Sequence, residues 1–274
     1  MIFRARVTGR YRSERFAQSI DRLTFGHDMK PWISPHKPPQ PSLDLALFID
    51  FDGTLVDLAP SPDEINVPAD LPALLDALRQ RLDGAVAIVS GRRIHDLRRF
   101  LAPAEPTLVA EHGAVIRMAG APDTPLTPLW PLSWRRSLEH FERCWPGVEI
   151  DEKTYGVAIH FRGAPQAAKA VHDMAHALAE ASAGAYHVIA AKMAYELRRP
   201  GIDKGTAVRN LMVTPEFNGR VPVFIGDDLT DHDGFAAVTA AQGIALDVAT
   251  AFDNRPELVR DWLWSFAELT SENR

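Results

Sequence analysis

The amino-acid sequence predicts an α/β fold in which a parallel-sheet core carries an inserted α+β segment. Before residue 114 and again after residue 199, short apolar runs that end in polar residues alternate with helical patterns. This alternation is typical of βαβ units with right-handed crossovers in a parallel sheet. Between these two parts the hydrophobic period shortens to two residues, which is typical of antiparallel strands with one exposed face.

The first part of the core is predicted to contain three strands and two helices. Residues 45–49 are apolar throughout and too few for a helix, so we expect a strand covered on both faces. Leucines then recur at helical spacing between Asp70, a candidate N-cap, and Gly84, a candidate helix end. The further elements are a strand at 85–89, a short helix with Ile94, Leu97 and Leu101, and a strand at 108–110.

The inserted segment and the second part of the core follow. Prolines between residues 122 and 131 argue against regular structure there. The insert is predicted to contain helices at 134–144 and 165–183 and strands at 155–161, 186–191 and 193–198. The core resumes with a helix at 204–212, strands at 221–225 and 243–246 with a helix between them, and an amphipathic helix at 256–269. We therefore expect a core of residues 42–114 and 199–274, and an insert of residues 115–198.

Residues 1–41 differ in composition from the rest of the chain. They contain eight Lys or Arg, three Asp or Glu and five prolines, whereas the remainder has 22 basic and 33 acidic residues. They lack the apolar stretch of a secretory signal. We expect a disordered tail, or a true start at Met29 instead of Met1; an organelle transit peptide is the alternative, since such leaders are rich in arginine.

The overall composition limits the class of protein. With 46% hydrophobic and 24% charged residues among 274, the chain is typical of a globular protein. Its net charge of −6 argues against nucleic acid as a partner. No apolar run approaches the ~20 residues that a membrane span needs, so we expect no membrane partner. The single cysteine, Cys144, rules out an internal disulfide, which fits a cytoplasmic location.

Acidic and polar residues follow three of the predicted core strands. Asp50 and Asp52 follow the first strand, Ser90 the second, and Asp227 with its neighbour follows strand 221–225. The carboxyl ends of parallel strands meet at one edge of the sheet, where ligands bind. Close carboxylates repel one another unless a cation or a shared proton relieves them. The sequence therefore predicts a metal site at this edge, and the alternative is an acidic turn exposed to solvent.

Other residues at this edge suit a phosphate group. Lys204 begins the helix at 204–212, and Thr54 follows the two aspartates of the first strand. Lysine, hydroxyl and backbone amide groups complement phosphate oxygens, although Ser90 can also act as a helix N-cap. Several carboxylates with room for water suit Mg²⁺. Together these residues predict phosphoryl transfer by a carboxylate nucleophile.

These motifs resemble the haloacid dehalogenase (HAD) superfamily of phosphatases. The signature consists of Asp50-x-Asp52-x-Thr54, Ser90, Lys204 and Gly226-Asp227-Asp228-x-x-Asp231, in that order. The resemblance implies a HAD-type, Rossmann-like core with an α+β cap. Within this superfamily, the chain is similar to the trehalose-6-phosphate phosphatase family over about residues 42–266. That similarity rests on Asp50–Leu55, Val89–Arg92, Glu111–Gly113, Lys192-x-x-x-Glu196-x-x-x-Pro200 and Asp203–Gly205.

The resemblance assigns catalytic roles to five residues. It implies that Asp50 is the nucleophile and a metal ligand. It implies that Asp52 protonates the leaving oxygen, deprotonates the attacking water and binds the metal through its backbone carbonyl. Thr54, Ser90 and Lys204 are implied to hold the phosphoryl oxygens, and Mg²⁺ is the implied cofactor.

The other metal carboxylates come from the motif at 226–231. Asp227 is the expected second carboxylate ligand, with Asp228 as a further candidate. Asp228 and Asp231 can instead lie behind the ligands and orient them.

The insert is implied to be a cap that binds the sugar of trehalose 6-phosphate. Arg92, Glu111, His112, Lys192 and Glu196 are the expected substrate contacts. Glu111 occupies a position that varies among relatives. The alternative for His112 is a structural hydrogen bond. The alternative for Lys192 and Glu196 is that they are surface charges on an exposed strand.

Three functions are compatible with this resemblance. The first is hydrolysis of trehalose 6-phosphate, in functional pairing with a trehalose-6-phosphate synthase. The second is hydrolysis of another phosphosugar, such as sucrose phosphate or a mannosyl phosphate. The third is a non-catalytic sugar-phosphate sensor.

Overall fold

Two β-sheets organise the chain. The computed structural model describes residues 35, 37–59, 64–121, 130–191 and 193–269. Most of the predicted tail, part of each proline-rich segment and Lys192 therefore lie outside the described residues. The larger sheet has the strand order β10-β9-β1-β2-β3-β4, with only β4 antiparallel to its neighbour. Numbered along the chain, its strands are β1 (Leu45–Ile49), β2 (Val86–Val89), β3 (Thr107–Ala110), β4 (Val115–Arg117), β9 (Val221–Gly226) and β10 (Ile244–Asp247).

The first strand lies in the interior of this sheet. All five residues of β1 are buried, and Phe48 pairs with Phe224 on one side and Ala87 on the other. A strand paired on both edges and covered on both faces needs apolar residues at every position, which explains its unbroken apolar run. The parallel α/β core predicted from the sequence is confirmed.

Helices cover the core sheet. They are α1 (Leu71–Arg81), α2 (Ile94–Leu101), α5 (Lys204–Leu211), α6 (His232–Ala240), α7 (Val248–Ala251) and α8 (Pro256–Trp264). The first helix shows why they form. Leu71, Leu74, Leu75 and Leu78 share its buried face, and burial of each leucine contributes about 1.5–3 kcal/mol. Arg79 and Arg81 lie in its last turn, where a positive charge favours the helix dipole.

The insert has a sheet and an apolar core of its own. Its strands are β5 (Glu149–Glu152), β6 (Val157–His160), β7 (His187–Ala191) and β8 (Ala194–Arg198), in the antiparallel order β5-β6-β8-β7. Helices α3 (Ser133–Cys144) and α4 (Ala168–Ala181) pack against this sheet. Trp134 of α3 is buried and meets the ring of Tyr186 edge-on, with 4.8 Å between the ring centroids. The predicted inserted α+β segment is confirmed.

The structure differs from the predicted elements at several short segments. Strand β4 pairs with β3 in the core sheet, so residues 115–117 belong to the core sheet and not to the insert. The sequence does not predict strand β5 or helix α7, because three of the four residues of β5 are acidic and α7 has only four residues. Helix α8 ends at Trp264 rather than residue 269.

One contact fixes the start of the described chain. The indole Nε1 of Trp262 on α8 donates a hydrogen bond of 2.9 Å to the carbonyl oxygen of Pro39. Within the described ranges, every helix is too short or too polar to cross a lipid bilayer.

Candidate active site

The site begins where β1 ends. The backbone amide of Asp50 donates to the carbonyl oxygen of Ile225 at 2.9 Å, so the carboxyl ends of β1 and β9 are joined. The chain then turns at Gly53, whose φ is +80°. A Cβ at this glycine would lie 2.1 Å from Oδ2 of Asp227, so only glycine permits both the turn and the approach of Asp227.

Lys204 joins two buried carboxylates. Its Nζ donates to Oδ1 of Asp50 and to Oδ1 of Asp231, each at 2.6 Å. The three residues are 3%, 5% and 0% exposed, respectively. Burial opposes the charge of Lys204, but the two carboxylates outweigh burial and raise its pKa. The lysine is therefore a fixed cation at this edge of the sheet.

Helix α5 places this lysine. Lys204 is its first residue, and Asp203 is its N-cap. The Asp203 carboxylate accepts hydrogen bonds from the backbone amide of Thr206 at 2.6 Å and from its hydroxyl at 3.0 Å. This cap satisfies a free amide of the first turn and fixes the direction in which Lys204 leaves the backbone.

The turn after β9 places the remaining carboxylates. Oδ2 of Asp231 accepts hydrogen bonds from the backbone amides of Asp227 at 3.1 Å and Asp228 at 3.0 Å. Asp228 accepts from the amide of Leu229 at 2.6 Å and begins a single turn of 3₁₀ helix over Leu229–Asp231. Asp231 thus binds Lys204 with one oxygen and the turn with the other.

Three carboxylates are grouped tightly enough to hold a cation. One oxygen each of Asp50, Asp227 and Asp231 lies within 4.8 Å of the others. Burial and the charge of Asp231 raise the pKa of Asp50 well above its ordinary value, despite Lys204. Burial, Asp231 and Asp228 raise the pKa of Asp227 to about 6. These shifts indicate negative charge that one lysine does not neutralise, and an all-oxygen group of this kind fits a divalent metal ion.

The predicted metal ligands and this group overlap in part. Asp50 and Asp227 belong to it, whereas Asp228 is exposed, caps its own turn and lies outside it. Asp231, expected to orient ligands, is part of the group. Asp231 also orients Lys204 and the turn, so it is both a candidate metal ligand and an orienting residue.

The predicted phosphate-binding hydroxyls lie at the same strand ends. Thr54 is fully buried and donates from Oγ1 to Oδ1 of Asp227 at 3.3 Å. Ser90 is buried after β2, and its Oγ accepts from the backbone amide of Arg92 at 3.1 Å. A hydroxyl that accepts from a backbone amide two residues later is typical of a helix N-cap, which is the alternative role for Ser90.

Arg92 binds the carboxylate of Asp52. Its Nε and Nη2 donate to Oδ2 and Oδ1 of Asp52, both at 2.7 Å. The guanidinium also lies over the rings of Phe51 and Phe100, 5.7 and 5.1 Å from their centroids. Two parallel hydrogen bonds and two aromatic contacts fix Arg92. The resemblance implies that Arg92 contacts the substrate. In the structure, Arg92 instead binds Asp52, the proposed acid/base residue.

The turn after β3 connects the core with the insert. Glu111 and His112 both have positive φ, +51° and +57°, which is unfavourable for residues other than glycine. Both oxygens of Glu111 accept hydrogen bonds from Thr154 of the insert, at 2.7 Å from its amide and 2.8 Å from its hydroxyl. Nε2 of His112 lies 3.6 Å from Oε2 of Glu196.

A buried ion pair lies next to this turn. Nζ of Lys153 donates to Oε1 of Glu196 at 3.0 Å. Burial opposes ionisation of Glu196, but Lys153, His112 and Arg198 outweigh it and hold its pKa well below the ordinary value. Burial is also the main reason that the pKa of His112 is lowered. Nδ1 of His112 and Nε of Arg198 are buried without a hydrogen-bond partner among the described residues.

The sequence did not reveal two of these residues. Lys153 and Thr154 follow β5, which is too short for a periodic pattern, and their partners are 43 residues away along the chain. No local signal could identify them. Lys192, the other predicted cap residue, lies outside the described residues.

Comparisons with known proteins identify the family of this chain. A family model described as trehalose-phosphatase matches residues 48–257. Trehalose-6-phosphate phosphatase of Escherichia coli (strain K12) is 33% identical over 216 residues, which are 77% of this chain and 80% of that protein. A bifunctional trehalose-6-phosphate synthase/phosphatase of Thermoproteus tenax is 36% identical over 199 residues, which are 69% of this chain and 26% of that protein.

A solved structure shows the same fold. The C-terminal domain of C. albicans trehalose-6-phosphate phosphatase superimposes with a TM-score of 0.65 and 22% identity, over 82% of this chain and 92% of that chain. The match of the family model covers most of the chain. It includes Lys204 and the three grouped carboxylates, Asp50, Asp227 and Asp231. This chain belongs to the trehalose-phosphatase family.

Proposed function

We propose that this chain hydrolyses trehalose 6-phosphate to trehalose and phosphate, with Mg²⁺ and through an aspartyl-phosphate intermediate. The observation that carries the chemistry is the buried carboxylate of Asp50, held 2.6 Å from Nζ of Lys204 beside Asp227 and Asp231. A fixed carboxylate with a fixed cation next to it can attack a phosphoryl group whose negative charge would otherwise repel it.

In the first half of the reaction, an oxygen of Asp50 attacks phosphorus. The new bond joins that oxygen to phosphorus, and the bond from phosphorus to the sugar oxygen breaks. Asp52 donates its proton to the sugar oxygen as this oxygen leaves. For this step Asp52 must exchange its bidentate contact with Arg92 for a contact with the substrate. Arg92 is therefore placed to control the direction of the Asp52 carboxylate.

In the second half, water attacks the phosphoryl group on Asp50. Asp52 accepts a proton from the water, the bond between Asp50 and phosphorus breaks, and phosphate leaves. Lys204, Thr54 and Ser90 are proposed to bind the phosphoryl oxygens in both halves, since lysine and hydroxyl groups complement them. Asp50 and Asp52 then have their starting protonation states.

Asp50, Asp227 and Asp231 would hold the metal ion, with the backbone carbonyl of Asp52 as a further ligand. When bound, a divalent cation supplies positive charge that shields the phosphoryl group from the carboxylates. Mg²⁺ is the proposed ion because hard cations prefer oxygen ligands.

The proposed sugar site lies between the core and the insert, which we propose acts as a cap. Lys153 and Glu196 form a buried pair there. Nδ1 of His112 and Nε of Arg198, which have no hydrogen-bond partner within the described part of the chain, can form hydrogen bonds with hydroxyl groups of a ligand. The substrate named for the E. coli relative supports trehalose 6-phosphate. The bifunctional T. tenax relative supports pairing with a synthase that supplies this substrate, and the single cysteine supports action in the cytoplasm.

Phosphate release tests this proposal. We would measure turnover of trehalose 6-phosphate, sucrose 6-phosphate, glucose 6-phosphate and 4-nitrophenyl phosphate, with Mg²⁺ and with a chelator. We expect Mg²⁺-dependent turnover with a strong preference for trehalose 6-phosphate. Glu196→Gln should impair turnover of the sugar phosphate more than that of the aryl phosphate.

Other outcomes would contradict specific parts of the proposal. Preference for a different sugar phosphate would overturn the assignment of the substrate but not of the chemistry. Binding of trehalose 6-phosphate without turnover of any substrate would indicate a sensor. Equal losses on both substrates in Glu196→Gln would remove this residue from the sugar site.

A further inference from the structure

We propose that Glu111 is a positioning residue that docks the insert on the core and thereby places Lys153 in the sugar site. The sequence suggested that Glu111 contacts the sugar itself. The consequence for catalysis rests on the proposed function, whereas the docking contact can be tested without a substrate.

The hydrogen bonds of Glu111 point to docking. The residue is 4% exposed, and its two oxygens accept from the amide of Thr154 at 2.7 Å, the hydroxyl of Thr154 at 2.8 Å and the amide of Tyr155 at 3.4 Å. A buried carboxylate that accepts three hydrogen bonds from one turn is bound to that turn. These donors occupy three of the roughly four acceptor positions of a carboxylate, so little capacity remains for a sugar hydroxyl.

The backbone of Glu111 is held in an unfavourable conformation that aims it at the insert. Its amide donates to the carbonyl oxygen of Arg92, and the amide of His112 donates to the carbonyl oxygen of Ser90, both at 2.9 Å. A Cβ at Gly91 would lie 2.4 Å from Nε2 of His112, so the ring needs that glycine in order to pack there. The loop that contains Ser90 thus imposes left-handed backbone on two residues, as is typical of functional turns.

A second contact lies on the other side of Lys153. Nε of Arg93 in the core donates to Oδ1 of Asp151 at 3.1 Å, and its Nη2 contacts the same oxygen. The core therefore holds the segment 151–155 on both sides of Lys153. The Glu111 contact is buried, whereas the Arg93 contact is exposed, so Glu111 should contribute more to docking.

Hydrogen exchange tests the docking contact without any substrate. In Glu111→Gln, the side-chain amide would place a donor against the donors of residues 154 and 155. We expect their backbone amides to exchange about tenfold faster, the factor for ~1.4 kcal/mol, which is the size of one hydrogen bond to a charged group. Strand β9 reports on folding of the core and should exchange unchanged. The milder Thr154→Val variant should act in the same direction, and Glu180→Gln, an exposed carboxylate on α4, is the matched control.

Kinetics test the consequence for the sugar site. We expect Glu111→Gln to raise KM for trehalose 6-phosphate about tenfold, with a much smaller change in kcat and in turnover of 4-nitrophenyl phosphate. The double variant with Thr154→Val should be little worse than Glu111→Gln alone, because both changes remove one contact.

The outcomes separate docking from the proposed function. Unchanged exchange at residues 154 and 155 would overturn the docking role, and so would equal kinetic losses on the sugar and aryl phosphates. Faster exchange in a protein whose wild type does not hydrolyse trehalose 6-phosphate would support docking and overturn the proposed function.

Discussion

At the scale of single residues, the site concentrates charge that the fold would be more stable without. Asp50, Asp227 and Asp231 lie within 4.8 Å of one another and share one lysine. Because the pKa of Asp50 is raised in the folded protein, its carboxylate binds a proton more tightly there than in the unfolded chain. Its ionised form therefore opposes folding at neutral pH, when the metal is absent. Stability is reduced here at the residue that we propose as the nucleophile, which lies beside a cation.

This argument predicts opposite effects of Asp50→Asn on activity and stability. The amide is a poor nucleophile, so we expect kcat to fall at least ~10³-fold. The neutral side chain removes repulsion from Asp231, so Tm in the presence of a chelator should not decrease. A thermal melt and phosphate release on the same preparation provide both measurements. Residual turnover close to the wild-type rate would remove Asp50 from the nucleophilic role.

Metal binding distinguishes Asp227 from its neighbour Asp228. If Mg²⁺ binds the carboxylate group, saturation at about 100 times Kd should stabilise the fold by ~2.7 kcal/mol. We expect Asp227→Asn to abolish most of this gain, because Asp227 belongs to the group. Asp228→Asn should keep it, although the loss of charge at its turn lowers the starting Tm. Melting curves with and without Mg²⁺ give the result, and loss of the gain only in Asp228→Asn would reverse the assignment.

At the scale of secondary-structure elements, strand ends supply the carboxylates and a helix start supplies the lysine. Strands β1 and β9 are adjacent and parallel, with Ile49 opposite Ile225. Asp50 and Asp227, the residues directly after the two strands, therefore lie at the same edge of the sheet. Helix α5 must begin at residue 204 for Lys204 to reach that edge, and the Asp203 cap fixes where it begins.

This cap predicts a measurable contribution to stability. Asp203→Ala leaves the amide of Thr206 without its partner, so the free energy of unfolding should fall by about 1 kcal/mol. Asp203→Asn keeps an oxygen acceptor, so its free energy of unfolding should fall by only a fraction of that amount. Because the cap also orients Lys204, kcat should fall in the alanine variant. Urea unfolding of both variants checks the cap, and equal losses for alanine and asparagine would show that its charge matters instead.

At the scale of the whole molecule, the contact between core and insert includes buried charges. Glu196 of the insert lies between Lys153 of the insert and His112 of the core. Burial, helped by Lys153, Arg198 and Lys204, holds the pKa of His112 well below its ordinary value of 6.5, despite Glu196. The unfolded chain takes up this proton as the pH falls below about 6.5, whereas the folded chain does not. The free energy of unfolding should therefore be unaffected by this histidine above that pH, and it should decrease as the pH falls below it.

This linkage predicts how His112→Gln changes the pH dependence of stability. Between pH 7.5 and 5.5, the wild type should lose more free energy of unfolding than the variant, approaching ~1.4 kcal/mol for each pH unit below 6.5. His95→Gln is the control, because His95 is 84% exposed and should leave the wild-type slope unchanged. Urea titrations at both pH values give the slopes. Parallel slopes for wild type and His112→Gln would exclude this residue as the source.

The sequence by itself determined most elements of the core, and it supplied most residues of the proposed phosphoryl-transfer site. Both depend on local patterns: an apolar run before Asp50, a polar strand end at Ser90, and an acidic strand end at Asp227. Parallel strands then bring such ends together, whatever the details of packing. Strand β4 has only three residues and no such pattern, so its place in the core sheet is not evident from the sequence.

Only the tertiary structure decided which side chains hold one another. Lys204 meets Asp50 across 154 residues of sequence, and Glu111 meets Thr154 across 43. It also decided that Asp231 joins the carboxylate group and that Asp228 does not. Hydrophobic periods describe which face of an element is buried, but they do not specify the register and rotation of one element against another. Buried charges depend on that geometry to within an ångström, because a displaced partner leaves a charge without compensation.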